Sequence, residues 1–150
     1  MLILLWGLLS EGPMAAVYRE LRALGVPVLF VDQSNTVETI VELDVGESVS
    51  GRIHTSQGDF DLADVSAAYL RPYDPRALFP DEASDSLAQA LLADHILSTW
   101  SELTSALVIN PLASMASNNS KPYQLQLIRD AGFLVPDTLI TTDPQAAEQF

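Results

Sequence analysis

Arg71 is the cation of this sequence best placed to bind an anion. The chain has 7 basic residues against 20 acidic ones. Arg71 directly follows the apolar segment 65–70, which has the pattern of a central strand, and open α/β sheets bind ligands beyond the carboxyl ends of their strands. The sequence therefore predicts that Arg71 binds a substrate carboxylate or phosphate. A structural ion pair with one of the many acids is the alternative that the residues leave open.

Histidine and cysteine, the usual metal ligands and nucleophiles, are scarce. No cysteine is present, which excludes disulfides and thiolate metal sites. The two histidines, His54 and His95, lie in separate segments without ligand spacing, so no zinc or haem site is expected. No serine–histidine–aspartate arrangement stands out, and no carboxylate in an apolar setting marks a general acid or base. An autonomous hydrolase is not predicted, and no catalytic residue is assigned.

Gly7 and Gly12, near the end of the first apolar segment, do not make a nucleotide-binding loop. A phosphate loop needs a lysine after its second glycine, and a dinucleotide fold needs Gly-x-Gly-x-x-Gly. Gly12 is followed by Pro13 and Met14, so the lysine is missing. The segment is predicted to be an ordinary strand-to-helix turn. The same pattern argues against a stand-alone dinucleotide-dependent oxidoreductase.

The net charge of −13 argues against several classes of partner. An acidic chain repels the phosphates of DNA, RNA and anionic lipid, so neither nucleic acid nor a membrane is an expected partner. The apolar segment 2–8 is far shorter than the roughly 20 residues that a membrane span needs. No basic residue precedes it, as one would in a signal peptide. A cytoplasmic protein is the expectation.

The order of the first elements predicts an α/β fold with a Rossmann-like, mainly parallel sheet. Segment 2–8 is a continuous apolar run, typical of a strand that is covered on both faces. A helix that ends at Gly25 and a strand at 28–31 follow. Strand, helix and strand together are a βαβ opening.

An insertion is predicted before the sheet resumes at 65–70. Segments 39–45, 49–55 and 58–62 are short and partly alternating, which indicates a β-hairpin or meander. Acidic residues concentrate there, as is typical of a solvated edge. Residues 73–83 hold two prolines and are predicted to form a loop.

A long helix beginning at Asp85 is predicted from apolar residues that recur every three or four positions. These residues are Leu92, Ile96, Trp100, Leu103 and Leu107. A short strand at 108–109 and a small, polar loop at 114–120 follow. Asn118, Asn119 and Ser120 are predicted to cap the next helix. The alternative is that they orient the loop before it.

The last forty residues carry the most specific pattern. They predict a compact helix at 122–131 with Gly132 as its stop, a strand at 139–141, and a last helix that starts at Asp143. This stretch resembles the junction at which ATP-grasp ligases pass from their N-terminal domain into the ATP-binding part. Such enzymes show a lysine that opens a short helix, an Ala-Gly end, an apolar-Pro step and a threonine before a strand. All four features occur in this order, at Lys121, Ala131 and Gly132, Val135 and Pro136, and Thr138.

The ending at 138–144, Thr-Leu-Ile-Thr-Thr-Asp-Pro, looks most like the glutathione synthetase/RimK-like branch, which includes ligases that modify ribosomally made peptides. The resemblance implies a Rossmann-like pre-ATP-grasp domain at 1–112 and the beginning of an ATP-grasp module at 113–150. The parent would be an ATP-dependent carboxylate–amine ligase that acts on a peptide or small-molecule carboxylate through an acyl phosphate.

The resemblance also implies ATP and Mg²⁺ as cofactors of the parent, with Lys121 as a residue that contacts the phosphates of the nucleotide. A cation at the start of a helix adds to the positive end of the helix dipole, which suits an ATP phosphate. The other nucleotide and Mg²⁺ ligands of such enzymes lie on later strands, so these 150 residues are expected to be inactive alone and to bind neither cofactor tightly. The alternative function is a non-catalytic module that keeps the fold and binds a protein or peptide. A homo-oligomer is compatible with either reading.

Overall fold

The computed structural model describes residues 1–47, 49–80, 85–115 and 120–150, with only the backbone described for Val37. The chain divides into two compact units, Met1–Ala113 and Ser114–Phe150. The assignment of the two units to the two domains of a ligase stays a prediction.

The first unit contains two sheets. Its strands, in chain order, are β1 (Leu2–Gly7), β2 (Val28–Asp32), β3 (Ile40–Val45), β4 (Val49–Thr55), β5 (Gly58–Asp61), β6 (Val65–Leu70) and β7 (Leu107–Ile109). One sheet is wholly parallel, in the order β2-β1-β6-β7, and the other is antiparallel, in the order β3-β4-β5. The predicted α/β class, with a mainly parallel sheet and a β insertion, is therefore confirmed.

Helices lie between and after these strands. They are α1 (Gly12–Ala23), the one-turn α2 (Pro75–Leu78), α3 (Asp85–Leu103), the one-turn α4 (Leu112–Met115), α5 (Lys121–Asp130) and α6 (Pro144–Gln149). Two 3₁₀ helices, Gln33–Glu38 and Leu62–Asp64, precede β3 and β6. The segment predicted as a loop at 73–83 thus contains the short helix α2.

Two hydrophobic clusters show why β1 is apolar along its whole length. On one face, Leu5 packs with Met14 of α1 and with Phe30 of β2. On the other face, Leu4 and Trp6 belong to the larger cluster that includes residues of α3. A strand that is buried on both faces needs apolar residues at every position rather than at alternate ones.

The buried face of α3 includes the predicted Trp100 but none of the other predicted residues. Leu92 and Leu103 are 59% and 46% exposed, and Leu107 lies in β7 rather than on the helix. The buried residues are Leu87, Ala90, Ala93, Leu97, Trp100 and Ser101. This helix is apolar around most of its circumference, so spacing alone allowed more than one face. The small residues Ala90 and Ala93 lie on the face that packs into the core, where a short side chain permits close approach.

The second unit has no buried residue among those described in it. Its helix α5 begins at the predicted lysine, and Gly132 follows in the left-handed conformation with φ 85°. The predicted strand at 139–141 is wrong, since these residues have no regular structure. A strand requires a hydrogen-bonded neighbour, and no described residue of the unit supplies one. The predicted final helix corresponds to α6, where the Asp143 side chain accepts a hydrogen bond from Gln145 N at 3.0 Å.

Two smaller predictions concern the loop before α5. Asn118 and Asn119 lie outside the described residues. Ser120 is the N-cap residue of α5, but its side chain makes no capping hydrogen bond. No helix in the described part of the chain is long and apolar enough to span a bilayer.

Candidate functional site

The carboxyl ends of the four parallel strands meet at one edge of the sheet, and polar residues follow them. The backbone N–H of Arg71, after β6, donates to Trp6 O of β1 at 2.9 Å. Asn110, after β7, donates from Nδ2 to Leu70 O at 3.2 Å and has a φ of 61°, a conformation that asparagine tolerates better than most residues. This edge is where open α/β sheets bind ligands.

Arg71 is held at this edge by a carboxylate from the loop after β1. Its Nε donates to Glu11 Oε2 at 2.7 Å, and its Nη2 donates to Glu11 Oε1. The Glu11 side chain is only 14% exposed and that of Arg71 is 35% exposed. The hydrogen bond from Arg71 lowers the pKa of Glu11 against the opposing effect of burial, and the same hydrogen bond raises the pKa of Arg71.

The ion-pair alternative for Arg71 is thus present in the structure, with Glu11 as the partner. A bidentate pair between a guanidinium and a carboxylate fixes both direction and distance. Glu11 is also the N-cap residue of α1, where its side chain makes no cap hydrogen bond. The pair therefore ties the start of α1 to the end of β6.

Close packing at the ends of β1 and β6 requires a glycine at position 7. A Cβ at this position would lie 2.9 Å from Arg71 O and 2.9 Å from the terminal methyl of Met14. The backbone after β6 can approach the end of β1 only because residue 7 has no side chain. Close packing of two strand ends thus accounts for this glycine.

Gln33 makes a second connection across the edge, which the sequence analysis missed. It is 3% exposed, its Nε2 donates to Tyr73 O at 3.0 Å, and its Oε1 accepts from Tyr73 N at 2.8 Å. One side chain thereby satisfies both backbone groups of a residue 40 positions later. A glutamine in the turn after a strand gives no sign of such a distant partner.

A cleft of about 280 Å³ opens beside Tyr73, between the loop after β6 and helix α3. Asp94 of α3 and Asp74 of the loop both line it. Burial raises the pKa of Asp94, and the charge of Asp74 raises it further. Arg76 Nη1 lies 3.7 Å from Asp74 Oδ1, and both of these side chains are more than 60% exposed.

Lys121 lies in the second unit, at the first position of α5, and it is the one lysine of the sequence. Its Nζ donates to Gln124 Oε1 at 3.2 Å, and the residue is exposed. An exposed ammonium at the start of a ten-residue helix matches the chemistry of a phosphate ligand. The contact of Lys121 with a nucleotide stays a prediction.

The two histidines lie apart from one another. His54 Nδ1 lies 2.8 Å from Asp59 Oδ1 on the antiparallel sheet, and His95 is exposed on α3. Within the described ranges, there is no group of three or more histidines and carboxylates that could hold a metal ion.

Comparison with known proteins gave matches only at the level of three-dimensional structure. No family model matches the sequence, and no curated protein matches it. The macrocyclase MdnC from Microcystis aeruginosa MRC, solved with the precursor peptide MdnA, is 25% identical with a TM-score of 0.77 over 99% of this chain and 49% of its own. The ATP-grasp ligase PsnB, solved with a minimal precursor, is 28% identical with a TM-score of 0.69 over 98% of this chain and 48% of its own.

A third structure agrees in fold alone. It is a RiPP-associated ATP-grasp ligase from Chryseobacterium gregarium in complex with ADP and a leader and core peptide, 16% identical with a TM-score of 0.70. PsnB has also been solved with Mg and ADP. The chain spans about half the length of these proteins.

These comparisons support the resemblance to ATP-grasp ligases. They do not show the finer assignment to the glutathione synthetase/RimK-like branch, which stays a prediction. The structural neighbours of this chain are ATP-grasp ligases and macrocyclases, several of them solved with precursor peptides.

Proposed function

We propose that this chain is the N-terminal part of an ATP-dependent carboxylate–amine ligase that modifies a peptide. The observation that carries the proposal is the match to MdnC, which extends over 99% of the chain at a TM-score of 0.77 and 25% identity. Bound precursor peptides in MdnC and PsnB favour a peptide over a small molecule as the substrate.

The proposed reaction has two steps. A substrate carboxylate oxygen takes the γ-phosphoryl group of ATP, which gives an acyl phosphate and ADP. An amine nitrogen then attacks the acyl carbon, inorganic phosphate leaves, and the nitrogen loses a proton to give the amide. Cations that face the phosphoryl oxygens lower the charge repulsion of the first step.

Lys121 is the residue proposed to meet the nucleotide. Its support is the position at the start of α5, where the ammonium and the helix dipole attract a phosphate together. ATP and Mg²⁺ are proposed as cofactors of the longer parent enzyme, with the other nucleotide and magnesium ligands supplied outside these 150 residues.

Arg71 is proposed to orient the substrate anion at the carboxyl edge of the sheet. Glu11 occupies Nε and Nη2, and a hydrogen bond with Tyr69 also contributes to the raised pKa of Arg71. A guanidinium has five N–H donors, and 35% of the side chain remains exposed. In this role Glu11 fixes the direction of the guanidinium and leaves part of it for a ligand.

The first test is calorimetric titration of Mg·ATP into the longest natural form of this chain. We expect binding that weakens by about tenfold in Lys121→Ala, a loss of the size of one charge-assisted hydrogen bond. Arg129→Ala is the matched control, because it removes one exposed cation from the last turn of the same helix. Its affinity should equal that of the unchanged protein.

Two results would count against the proposal. A folded long form that binds no Mg·ATP would exclude the ligase and favour the non-catalytic peptide-binding module. Equal weakening by Lys121→Ala and Arg129→Ala would leave the ligase intact and remove the assigned role of Lys121, because net charge alone would then account for the effect.

A further inference from the structure

The cleft between Tyr73 and Asp94 combines features that suit one kind of ligand. Its walls include the apolar residues Pro72, Leu91 and Leu112 as well as the aromatic Tyr73, which is 43% exposed. Its volume of about 280 Å³ can receive a long side chain. Among the described residues, no salt bridge includes Asp94.

Asp94 differs from the other carboxylate of the cleft. Asp74 is 61% exposed and already has Arg76 beside it. Asp94 is half-buried and lines both this cleft and a smaller apolar cavity of about 10 Å³. Burial removes part of the solvation of the Asp94 carboxylate, and a bound cation would compensate for that loss. The neighbouring His95, exposed on the same helix, acts on this carboxyl in the same direction and lowers its pKa.

Lysine and arginine side chains match the apolar, aromatic and acidic residues of these walls. Arg76 also lines the cleft, and its guanidinium lies beside Asp74 rather than Asp94. Their methylene stems pack on apolar surface while their charged heads seek an anion, and an aromatic face attracts the same cation. The cleft also lies directly after β6, at the sheet edge where ligands of α/β folds bind.

We propose that this cleft is a subsite for a lysine or arginine side chain of the peptide substrate, with Asp94 as the counter-charge and Tyr73 as an aromatic wall. The identity of the ligand as a peptide rests on the proposed ligase function, whereas the preference for a cationic side chain rests on the cleft itself. The subsite selects substrates by charge at a position beside, rather than on, the Arg71–Glu11 pair.

The test is an NMR titration of the ¹⁵N-labelled chain with two probes, N-acetyl-lysine methylamide and N-acetyl-norleucine methylamide, at matched ionic strength. The probes differ in the terminal ammonium. The lysine probe should shift the backbone amides of Tyr73, Asp94 and Ser98 in a saturable way, and the norleucine probe should shift them much less.

Asp94→Asn should weaken the lysine probe by about fivefold, the effect of one partly exposed charge pair. Asp137→Asn is the matched control, since it removes one exposed carboxylate from the second unit and changes the net charge equally. Equal shifts by both probes, or equal binding by the two variants, would overturn the subsite. If Asp94→Asn does not fold, the two probes on the unchanged chain decide the question.

The preference for the lysine probe can be measured whether or not the full protein is a ligase. A chain that selects the lysine probe but belongs to a protein without Mg·ATP binding would keep the cationic subsite and lose the ligase. A protein that binds Mg·ATP but does not distinguish the probes would keep the ligase and lose the subsite.

Discussion

At the scale of single residues, the pair of Arg71 and Glu11 connects structure to chemistry at the sheet edge. It joins residues 60 positions apart and directs a guanidinium along the carboxyl end of β6. The sequence predicted a role for Arg71 from its position after an apolar strand. It could not name Glu11 as the partner, because 20 acidic residues were available and only the packing of β1 against β6 selects one.

Replacing Glu11 with glutamine should lower the free energy of unfolding by about 1 kcal/mol. Hydrogen bonds to charged groups contribute roughly 1.5–3 kcal/mol, and the figure is reduced here because Arg71 is 35% exposed and solvent screens the pair. The folded-state pKa of Glu11 lies below its ordinary value of 4.5. This contribution is therefore complete above that value and is lost as the pH falls through the lowered pKa.

Urea unfolding of the unchanged chain and Glu11→Gln at neutral and acidic pH measures this difference. The gap between the two should narrow as the solution becomes more acidic. Glu20→Gln is the control, because Glu20 is 67% exposed and its ion pair is with the adjacent Arg19. A gap of the same size at every pH would show that the charge of Glu11 is not what stabilises the pair.

At the scale of elements, α3 shows how far spacing alone can mislead. Leu92 and Leu97 are both leucines of one apolar helix, but the first is 59% exposed and the second 1% exposed. The helix carries apolar residues on several sides, so its sequence does not determine which side meets the sheet. The side of α3 that packs against the sheet is the one on which the short side chains of Ala90 and Ala93 permit the helix to come close.

Leu97→Ala should cost about 2–5 kcal/mol of stability, the usual range for a buried leucine that leaves a cavity. Leu92→Ala is the matched control and should change stability by no more than about 0.5 kcal/mol. Thermal or urea unfolding of both variants measures the contrast. A larger loss in Leu92→Ala than in Leu97→Ala would mean that the helix buries the face predicted from spacing rather than the observed one.

At the scale of the whole molecule, the two units differ in how well they are packed. The first has a core of fully buried side chains that includes Leu4, Leu5, Leu29 and Leu70. In the second, the described residues include none that is buried, and Phe133 and Leu134 are 69% and 101% exposed. Local stability follows buried apolar contacts, so the second unit should open more readily than the first.

Hydrogen exchange of the intact chain measures this difference. Amides of β1 and β6 should exchange slowest, at rates set by global unfolding, whereas amides of α5 and α6 should exchange much faster. Urea should leave the α5 and α6 rates almost unchanged while it accelerates exchange in β1. Equal protection of the two units would show that the second is stabilised by packing beyond its described contacts.

The sequence by itself determined the α/β class, the order of the strands along the chain, the β insertion and the start of α5 at Lys121. These features depend on local patterns: continuous apolar runs, alternation, and residues that start or stop helices. The edge position of Arg71 followed from the same patterns. Other features depend on contacts between distant parts of the chain, and only the tertiary structure decided them. They are the ion pair of Arg71 with Glu11, the hydrogen bonds from Gln33 to Tyr73, the buried face of α3 and the cleft at Asp94. The tertiary structure also shows no strand at 139–141, because a strand exists only where another strand accepts and donates its hydrogen bonds.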